Sequence, residues 1–279
     1  MVAGSNPVAP TFVQNEQKIV SAFFIGVGML FLLSNDDGFR AFGLRMLREI
    51  LLELGDVVVV APEEERSAAS HSLTISRPLD VRKTGDGIYA VDGTPTDCIM
   101  MAVNGLLEER PDFVISGINH GANLGDDVTY SGTVAAAIEG TLLGIPSLAI
   151  SYASRDSKFI HLWGKKLLML LDQLIRKDLP TDTLLNINIP PINPDDTAGV
   201  KITTLGRRLY QDPIQIEKED DERFSFTIGG QGPRWKGANS CDFKAVDEGF
   251  ISITPIHLDL TNYDVIDELN AWRLEVEQS

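Results

Sequence analysis

The sequence is poor in cysteine and in basic residues, and each shortage excludes a class of protein. Only Cys98 and Cys241 occur in 279 residues, and their wide separation fits neither a disulfide framework nor a zinc site. We therefore predict two buried thiols and a reducing, cytoplasmic location. With 24 Lys and Arg against 40 Asp and Glu, the net charge is -16, which argues against binding of a nucleic-acid duplex through its phosphates. A small phosphorylated ligand is compatible with this charge if a metal ion supplies positive charge.

A hydrophobic run long enough to span a membrane is also missing. The apolar stretch from Val20 to Leu33 covers about 14 residues, whereas a transmembrane helix needs roughly 20. Its last part, Leu30–Leu33, leads directly into an acidic motif and is predicted to be a buried strand rather than a signal-peptide core. We expect no membrane partner. Residues 1–28 look foreign to the fold, so we predict a non-native or disordered leader, with Met29 as a candidate native start.

What the sequence does contain is a regular alternation of buried strands and amphipathic helices. Apolar residues at helical spacing from Leu44 to Leu54 end at Gly55, and the strand Val57–Val60 follows. The further predicted elements are a helix from Thr94 to Leu107, a strand at 113–115, a helix from Thr133 to Leu143, a strand at 147–150, a helix from Phe159 to about Arg176 and a strand at 184–189. This alternation predicts an α/β fold, a Rossmann-like three-layer parallel sheet over residues 29–205.

The character of the sequence changes after residue 205. Residues 206–248 are polar, with an acidic run from Glu217 to Glu222 and an alternating segment, Phe224–Ile228, that predicts a β-hairpin. We expect this C-terminal hairpin arm to make a subunit contact or to cover the active site. In residues 249–279, a strand at 250–253 is predicted to return to the sheet, and a helix from Val265 to about Val276 to end the chain.

An acidic pair, Asp36 and Asp37, follows the first predicted strand within the motif Ser34-Asn35-Asp36-Asp37-Gly38. The pair should emerge at the carboxyl end of that strand, where open α/β sheets bind ligands. Two adjacent carboxylates need a counter-charge, and a hard divalent cation such as Mg²⁺ or Mn²⁺ takes oxygen ligands. An Asx turn with two solvated carboxylates would explain the same motif.

Two polar loops also follow predicted strands. The loop after the second strand contains Ser67 and His71, and the long loop after strand 113–115 contains Asn119, His120 and Asn123. Because the carboxyl ends of parallel strands meet at one edge of a sheet, we expect these loops to lie beside the acidic pair.

The next helix begins with Ser131-Gly132-Thr133. Free N–H groups and hydroxyls at a helix start can bind a phosphoryl oxygen. Plain N-capping by Ser131 or Thr133 would explain the same residues. A dinucleotide-dependent dehydrogenase is disfavoured, because no G-x-G-x-x-G motif follows the first strand.

The combination of these motifs resembles a known family. The matching segments are Leu33–Gly38, Val59–Pro62, Arg66–Ser67, His71–Thr74, Gly93–Cys98, Ser116–Asn119, Asn123–Gly125, Tyr130–Thr133, Ile145–Ser147, Leu185–Asn188 and Ile251–Pro255. Through them the chain resembles the survival protein SurE family of metal-dependent 5'/3'-nucleotidases. The resemblance implies hydrolysis of nucleoside 5'-monophosphates, with 3'-monophosphates and short polyphosphate as further candidate substrates. It also implies a homodimer or homotetramer assembled through residues 206–248.

The same resemblance implies roles for individual residues. The positions that match those binding one divalent metal ion per subunit, Mg²⁺ or Mn²⁺, are Asp36, Asp37, Ser67 and Asn119. The positions that match those around the phosphate are Asn123, Ser131, Gly132 and Thr133.

These residues are consistent with in-line attack on phosphorus by a metal-activated water. We expect Asn123 and the helix start to stabilise developing charge and Asp36 to accept the proton of the water. His71 and His120 are candidate proton donors to the leaving group, although a loop histidine is often only a hydrogen-bonding neighbour. Two other functions stay open: a phosphatase that forms an aspartyl-phosphate and a non-catalytic nucleotide sensor.

Overall fold

The structure is a computed structural model that describes residues 28–209, 214–218, 224–228 and 234–274. The predicted leader, apart from its last residue, therefore lies outside the described residues, as do most of the acidic run 217–222 and the predicted end of the last helix. Within the described ranges, no helix combines the length and apolar character that crossing a membrane requires.

Strands and helices alternate through most of the chain. The strands are Met29–Ser34 (β1), Gly55–Pro62 (β2), Val81–Gly85 (β3), Ile88–Val91 (β4), Phe113–His120 (β5), Ser147–Tyr152 (β6), Thr183–Ile189 (β7), Gly199–Ile202 (β8), Arg207–Leu209 (β9), Ile214–Lys218 (β10), Phe224–Ile228 (β11), Arg234–Lys236 (β12) and Phe250–His257 (β13). The α-helices are Phe42–Leu51 (α1), Pro95–Met101 (α2), Gly132–Leu142 (α3), Gly164–Leu174 (α4), Asp242–Asp247 (α5) and Ile266–Ala271 (α6).

One large sheet organises the fold, with the strand order β3-β4-β2-β1-β5-β6-β7-β13-β8. Its central strands are parallel, from β4 through β7, as predicted. Three strands run against these central strands. Strand β3 pairs with β4 and β13 pairs with β7 in antiparallel directions, and β8 pairs in parallel with β13. The chain runs from β1 outward to β2 and β4 and then returns to place β5 on the other side of β1. The topological switch point therefore lies between the carboxyl ends of β1 and β5.

Helices cover both faces of this sheet and confirm the three-layer architecture. Adjacent residues of β1 face opposite sides, as the pleat of a strand requires. Leu33 belongs to the same buried cluster as Leu47 of α1 and Leu171 of α4, whereas Leu32 belongs to the cluster on the other face, with Ile99 of α2. All four leucines and Ile99 are 0% exposed, so burial of their side chains contributes roughly 2 kcal/mol each to folding.

Several predicted elements differ in extent from those in the structure. The helix predicted from Thr94 to Leu107 is α-helical only to Met101 and continues as a π-helix, Ala102–Leu106. The last helix was predicted from Val265, but α6 ends at Ala271, since Arg273 has a left-handed φ of 47° that an α-helix does not accommodate. Strand β3 was not predicted, because its residues are mostly exposed and carry no apolar run.

The segment predicted as an arm contains two kinds of structure. Strands β10 and β11 pair antiparallel, which confirms the predicted hairpin, and β9 pairs with β12 in a second antiparallel pair. Helix α5, by contrast, packs on the main sheet through β13, and Cys241 and Ala245 are 0% exposed. Residues 241–247 are therefore part of the core, whereas the preceding strand pairs stand apart from the large sheet.

Candidate metal and phosphate site

The acidic pair lies at the switch point between β1 and β5. The Asn35 side chain donates to the Gly38 carbonyl oxygen at 3.0 Å, so the turn after β1 is fixed by Asn35 and not by either aspartate. Asp36 is only 6% exposed. The alternative of an Asx turn with two solvated carboxylates therefore does not describe Asp36.

Asp36 packs directly against the start of α3. The Thr133 hydroxyl donates to Asp36 Oδ1, and a Cβ atom at Gly132 would lie 2.8 Å from Asp36 Cβ. Only glycine at position 132 lets the helix approach the carboxylate this closely. The pKa of Asp36 is raised to about 6, chiefly by burial and to a smaller extent by the charge of Asp37, although the hydrogen bond from Thr133 lowers it.

Ser131 has the capping role that the sequence left open. Its hydroxyl oxygen accepts from the Val134 backbone N–H at 3.1 Å, as an N-cap residue does. Ser131 also lines the cavity next to the acidic pair. Gly132 and Thr133 lie behind Asp36 and are buried, so the phosphate-binding residues predicted at this helix start divide into one that lines the cavity and two that support it.

The two candidate histidines are in different environments. The His120 backbone N–H donates to Asp37 Oδ2 at 3.2 Å, and its ring Nδ1 lies 3.6 Å from the same oxygen. His120 lines the cavity. His71 does not line the cavity. Its ring Nε2 instead lies 2.8 Å from Oε2 of Glu139 on α3. Of the two predicted proton donors, the structure brings only His120 to the acidic pair.

Ser67 and Asn119 complete the predicted set of metal ligands. The Ser67 hydroxyl donates to Glu65, and the Asn119 side-chain amide donates to the Gly121 carbonyl oxygen at 2.9 Å. These donations leave oxygen atoms of Ser67 and Asn119 as the groups that can bind a cation. Both residues line the same cavity as Asp36 and Asp37, and its volume is about 690 Å³.

Asn123 is held by a buried network of polar side chains. Its backbone N–H donates to Asn188 Oδ1 at 2.9 Å, and its carbonyl oxygen accepts from the amides of Asn186 and Asn188 at 2.8 and 2.9 Å. Its own amide donates to the Ser151 hydroxyl at 2.7 Å. Ser151, Asn186 and Asn188 are all 0% exposed. Since such buried hydrogen bonds are costly to break, they fix the backbone of Asn123 at the cavity edge, and the Ser151 contact orients its side-chain amide.

The cavity lining also includes residues to which the sequence analysis assigned no role, among them Arg155, Arg208 and Trp235. Arg155 lies shortly after the carboxyl end of β6, so the strand-end rule would have found it. Arg208 and Trp235 face each other in the pairing of β9 with β12, and the Arg208 guanidinium forms an ion pair with Asp127. No local pattern in the sequence marks them, because only this strand pairing brings them to the cavity.

The chemistry of these side chains fits a hard divalent cation. Two carboxylates, one hydroxyl and one amide oxygen form an oxygen donor set of the kind that Mg²⁺ and Mn²⁺ prefer. Among the residues that the structure describes, no cluster of three or more His, Cys, Asp or Glu side chains could hold a metal ion.

Comparisons with known proteins show which family the chain belongs to. The family profile described as Survival protein SurE matches residues 31–212. A protein named 5'-nucleotidase SurE from Gemmatimonas aurantiaca is 48% identical over 248 residues, covering 88% of this chain and 98% of its own. One of the same name from Methylococcus capsulatus is 46% identical over 244 residues, covering 88% and 97%. The crystal structure of the SurE protein from Aquifex aeolicus superposes with a TM-score of 0.77 at 40% identity, covering 88% of this chain and 99% of that one.

Proposed function

Since the chain belongs to the survival protein SurE family, we propose that it is a metal-dependent 5'-nucleotidase, a phosphoric monoester hydrolase that releases phosphate from nucleoside 5'-monophosphates. The observation that carries this proposal is one cavity lined by Asp36, Asp37, Ser67, Asn119 and Asn123 at the switch point of the sheet. A parallel sheet binds its ligand at this place, and the side chains there suit a cation and a phosphate together.

The residues that would hold the cation are Asp36, Asp37, Ser67 and Asn119. A divalent ion bound there supplies positive charge that polarises the phosphate and lowers the pKa of a bound water. We propose one ion per subunit, Mg²⁺ or Mn²⁺, because an oxygen donor set with two carboxylates suits either. The positive charge also compensates for the acidic cavity, where Glu65 adds a further carboxylate.

The substrate phosphate would be bound by Asn123 and Ser131 at the edge of the cavity. The network of Ser151, Asn186 and Asn188 fixes Asn123 before the substrate arrives, so little reorganisation is needed as charge develops on phosphorus. Arg155 adds positive charge to the same cavity, whereas the charge of Arg208 is paired with Asp127. The positive end of the α3 dipole lies at the helix start beside Ser131 and favours an anion there.

Two side chains would move the protons of the reaction. Asp36 would accept a proton from the attacking water, because its carboxylate lies beside the place where that water would be bound. His120, oriented by Asp37 through Nδ1, donates a proton to the leaving ester oxygen. One P–O bond forms from water, the ester P–O bond breaks, and the products are a nucleoside and inorganic phosphate. Hydrolysis of 3'-monophosphates and short polyphosphate is proposed as a further use of the same groups.

The test is a phosphate-release assay on a panel of nucleotides with Mg²⁺, Mn²⁺ or a chelator. We expect release that the chelator abolishes and that Asp36→Asn and Asn119→Ala both lose. Asp195→Asn is a matched control, since its side chain is 90% exposed and lies outside the cavity lining, and it should retain full activity. Full activity in the presence of chelator would contradict the proposal, and an acid-stable phosphoenzyme would favour an aspartyl-phosphate mechanism instead.

We also propose that the protein acts as a homodimer or homotetramer in the cytoplasm, with the hairpins within residues 206–248 as the subunit contact. Strands β10 and β11 form a two-stranded sheet separate from the large one, and a lone two-stranded hairpin is only marginally stable unless another surface covers it. Light scattering on the purified protein should give the mass of two or four chains. Removal of the β10–β11 hairpin should lower that mass, and a single-chain mass for the intact protein would contradict this assignment.

A further inference from the structure

The loop that carries Ser67 is exposed and strained. It joins β2 to β3, and most of its residues from 63 to 78 are exposed to solvent. Ala68 and Ser70 have φ values of 57° and 53°, in the left-handed region that residues other than glycine rarely adopt. A strained backbone of this kind persists only where surrounding contacts impose it. The loop must therefore be held by its neighbours.

Contacts with other elements hold the loop at residues that follow Ser67 in the chain. The Ser70 hydroxyl donates to the Thr129 carbonyl oxygen at 2.8 Å. The backbone N–H and hydroxyl of Thr74 both donate to the Asp97 carboxylate, at 2.8 and 2.6 Å. The His71 ring lies between these two attachments and contacts helix α3 through Glu139, with 2.8 Å between Nε2 and Oε2.

Glu139 is unusual because it is an acidic side chain in the interior. Its side chain is 4% exposed, whereas that of His71 is 34% exposed. A buried carboxylate is stable only with a hydrogen-bond partner, and His71 is that partner. Helix α3 also carries Thr133, which donates to Asp36. The His71–Glu139 contact therefore joins the Ser67 loop to the same helix that packs on the acidic pair.

We infer that His71 and Glu139 are positioning residues, which hold the Ser67 loop against α3 so that Ser67 and Asp36 face one divalent cation. This inference rests on the proposed function, because it concerns the cation site of that mechanism. It also replaces the predicted role of His71 as a proton donor. Neither side chain lines the cavity, so they act through Ser67 and touch neither the cation nor the substrate.

The first test measures Mn²⁺ affinity by isothermal titration calorimetry, without any substrate. His71→Ala should weaken Mn²⁺ binding by about 10-fold or more, as loss of an outer hydrogen-bond partner does at other metal sites. His71→Gln can still donate to Glu139 and should stay within about 3-fold of the parent. His161→Ala is the control, because His161 lines a different cavity between α1 and α4. An Mn²⁺ affinity of His71→Ala within twofold of the parent would overturn the inference.

A second measurement reports on the loop directly. Arg66 precedes Ser67 and lies in the exposed part of the loop, so trypsin cleavage after Arg66 measures how often the loop leaves its native conformation. We expect His71→Ala to be cleaved faster than the parent and His71→Gln at nearly the parent rate, all in the metal-free state. Equal cleavage rates for the three proteins would also overturn the inference.

A double-mutant cycle distinguishes an effect of the His71–Glu139 contact on Mn²⁺ affinity from the effect of a general loss of stability. If His71 acts through Glu139, then Glu139→Gln should change Mn²⁺ affinity little in the His71→Ala background. Independent effects of the two substitutions would contradict the inference. Failure of the parent protein itself to bind Mn²⁺ would instead contradict the proposed function, so the two failures are distinguishable.

Discussion

Replacing Asp36 by Asn should stabilise the metal-free protein at neutral pH while abolishing phosphate release. The pKa of Asp36 is raised from 3.8 to about 6, chiefly by burial. A raised folded-state pKa means that ionisation costs more in the folded than in the unfolded protein, so stability falls as the pH rises through this interval. Each pKa unit corresponds to about 1.36 kcal/mol, which gives a penalty of about 3 kcal/mol above pH 7 as an upper bound.

The size of the effect should depend on pH in a defined way. Asn cannot ionise, and its Oδ1 atom can still accept the Thr133 hydroxyl, so the substitution removes the penalty and keeps the contact. At pH 5 the same two pKa values give a penalty of only about 1.6 kcal/mol, because Asp36 is then mostly protonated in the folded state. The stabilisation by Asp36→Asn should therefore fall to about half between pH 7.5 and pH 5.

Thermal unfolding in excess chelator measures this difference. A gain of about 3 kcal/mol corresponds to a rise in Tm of roughly 6–12 °C for a domain of this size. Asp37→Asn is the matched control, because the Asp37 side chain is 20% exposed and its replacement should change Tm much less. If Asp36→Asn leaves Tm unchanged at pH 7.5, or raises it equally at both pH values, then burial of an ionised Asp36 is not the cause.

Three further predictions concern buried polar groups and thiols. Asn188→Ala removes two hydrogen bonds to Asn123, so kcat should fall at least about 10-fold and the free energy of unfolding by about 1–3 kcal/mol. An unchanged kcat would show that Asn123 needs no such support. Asp242→Ala deprives buried backbone N–H groups of their acceptor, and urea unfolding should show a loss of about 3 kcal/mol or more in the free energy of unfolding. A loss below about 1 kcal/mol would refute this account. Cys98 and Cys241 are 0% exposed, and burial raises the pKa of the Cys98 thiol. A colourimetric thiol reagent should therefore label neither cysteine until the protein unfolds. Rapid labelling of the native protein would contradict their burial.

Much of the fold was predictable because its signals are local. Runs such as Val57–Val60 and the helical spacing from Leu44 to Leu54 predicted β2 and α1, since hydrophobic period depends only on neighbouring residues. The antiparallel directions of β3 and β13 were not predicted. A strand's partner and direction depend on distant segments, and β13 pairs with β7 more than sixty residues earlier.

The candidate site likewise has features that the sequence predicts and features that depend on distant segments. The sequence alone was sufficient to place oxygen-bearing side chains at strand ends, because a buried strand followed by a polar turn is visible within a few residues. It determined that Asp36, Asp37, Ser67, Asn119 and Asn123 were candidates for a cation and phosphate site, and the structure brings all five to one cavity.

Only the tertiary structure decided how these candidates differ from one another. Asp36 contacts Thr133 across 97 positions of the chain, and His71 contacts Glu139 across 68. The perturbed pKa of Asp36 and the separation of His71 from His120 therefore follow from packing between elements that are far apart in sequence. Residue type and spacing determined which chemistry was available. The three-dimensional contacts determined the burial, the hydrogen-bond partner and the charge of each side chain, because those properties depend on every element that packs around it.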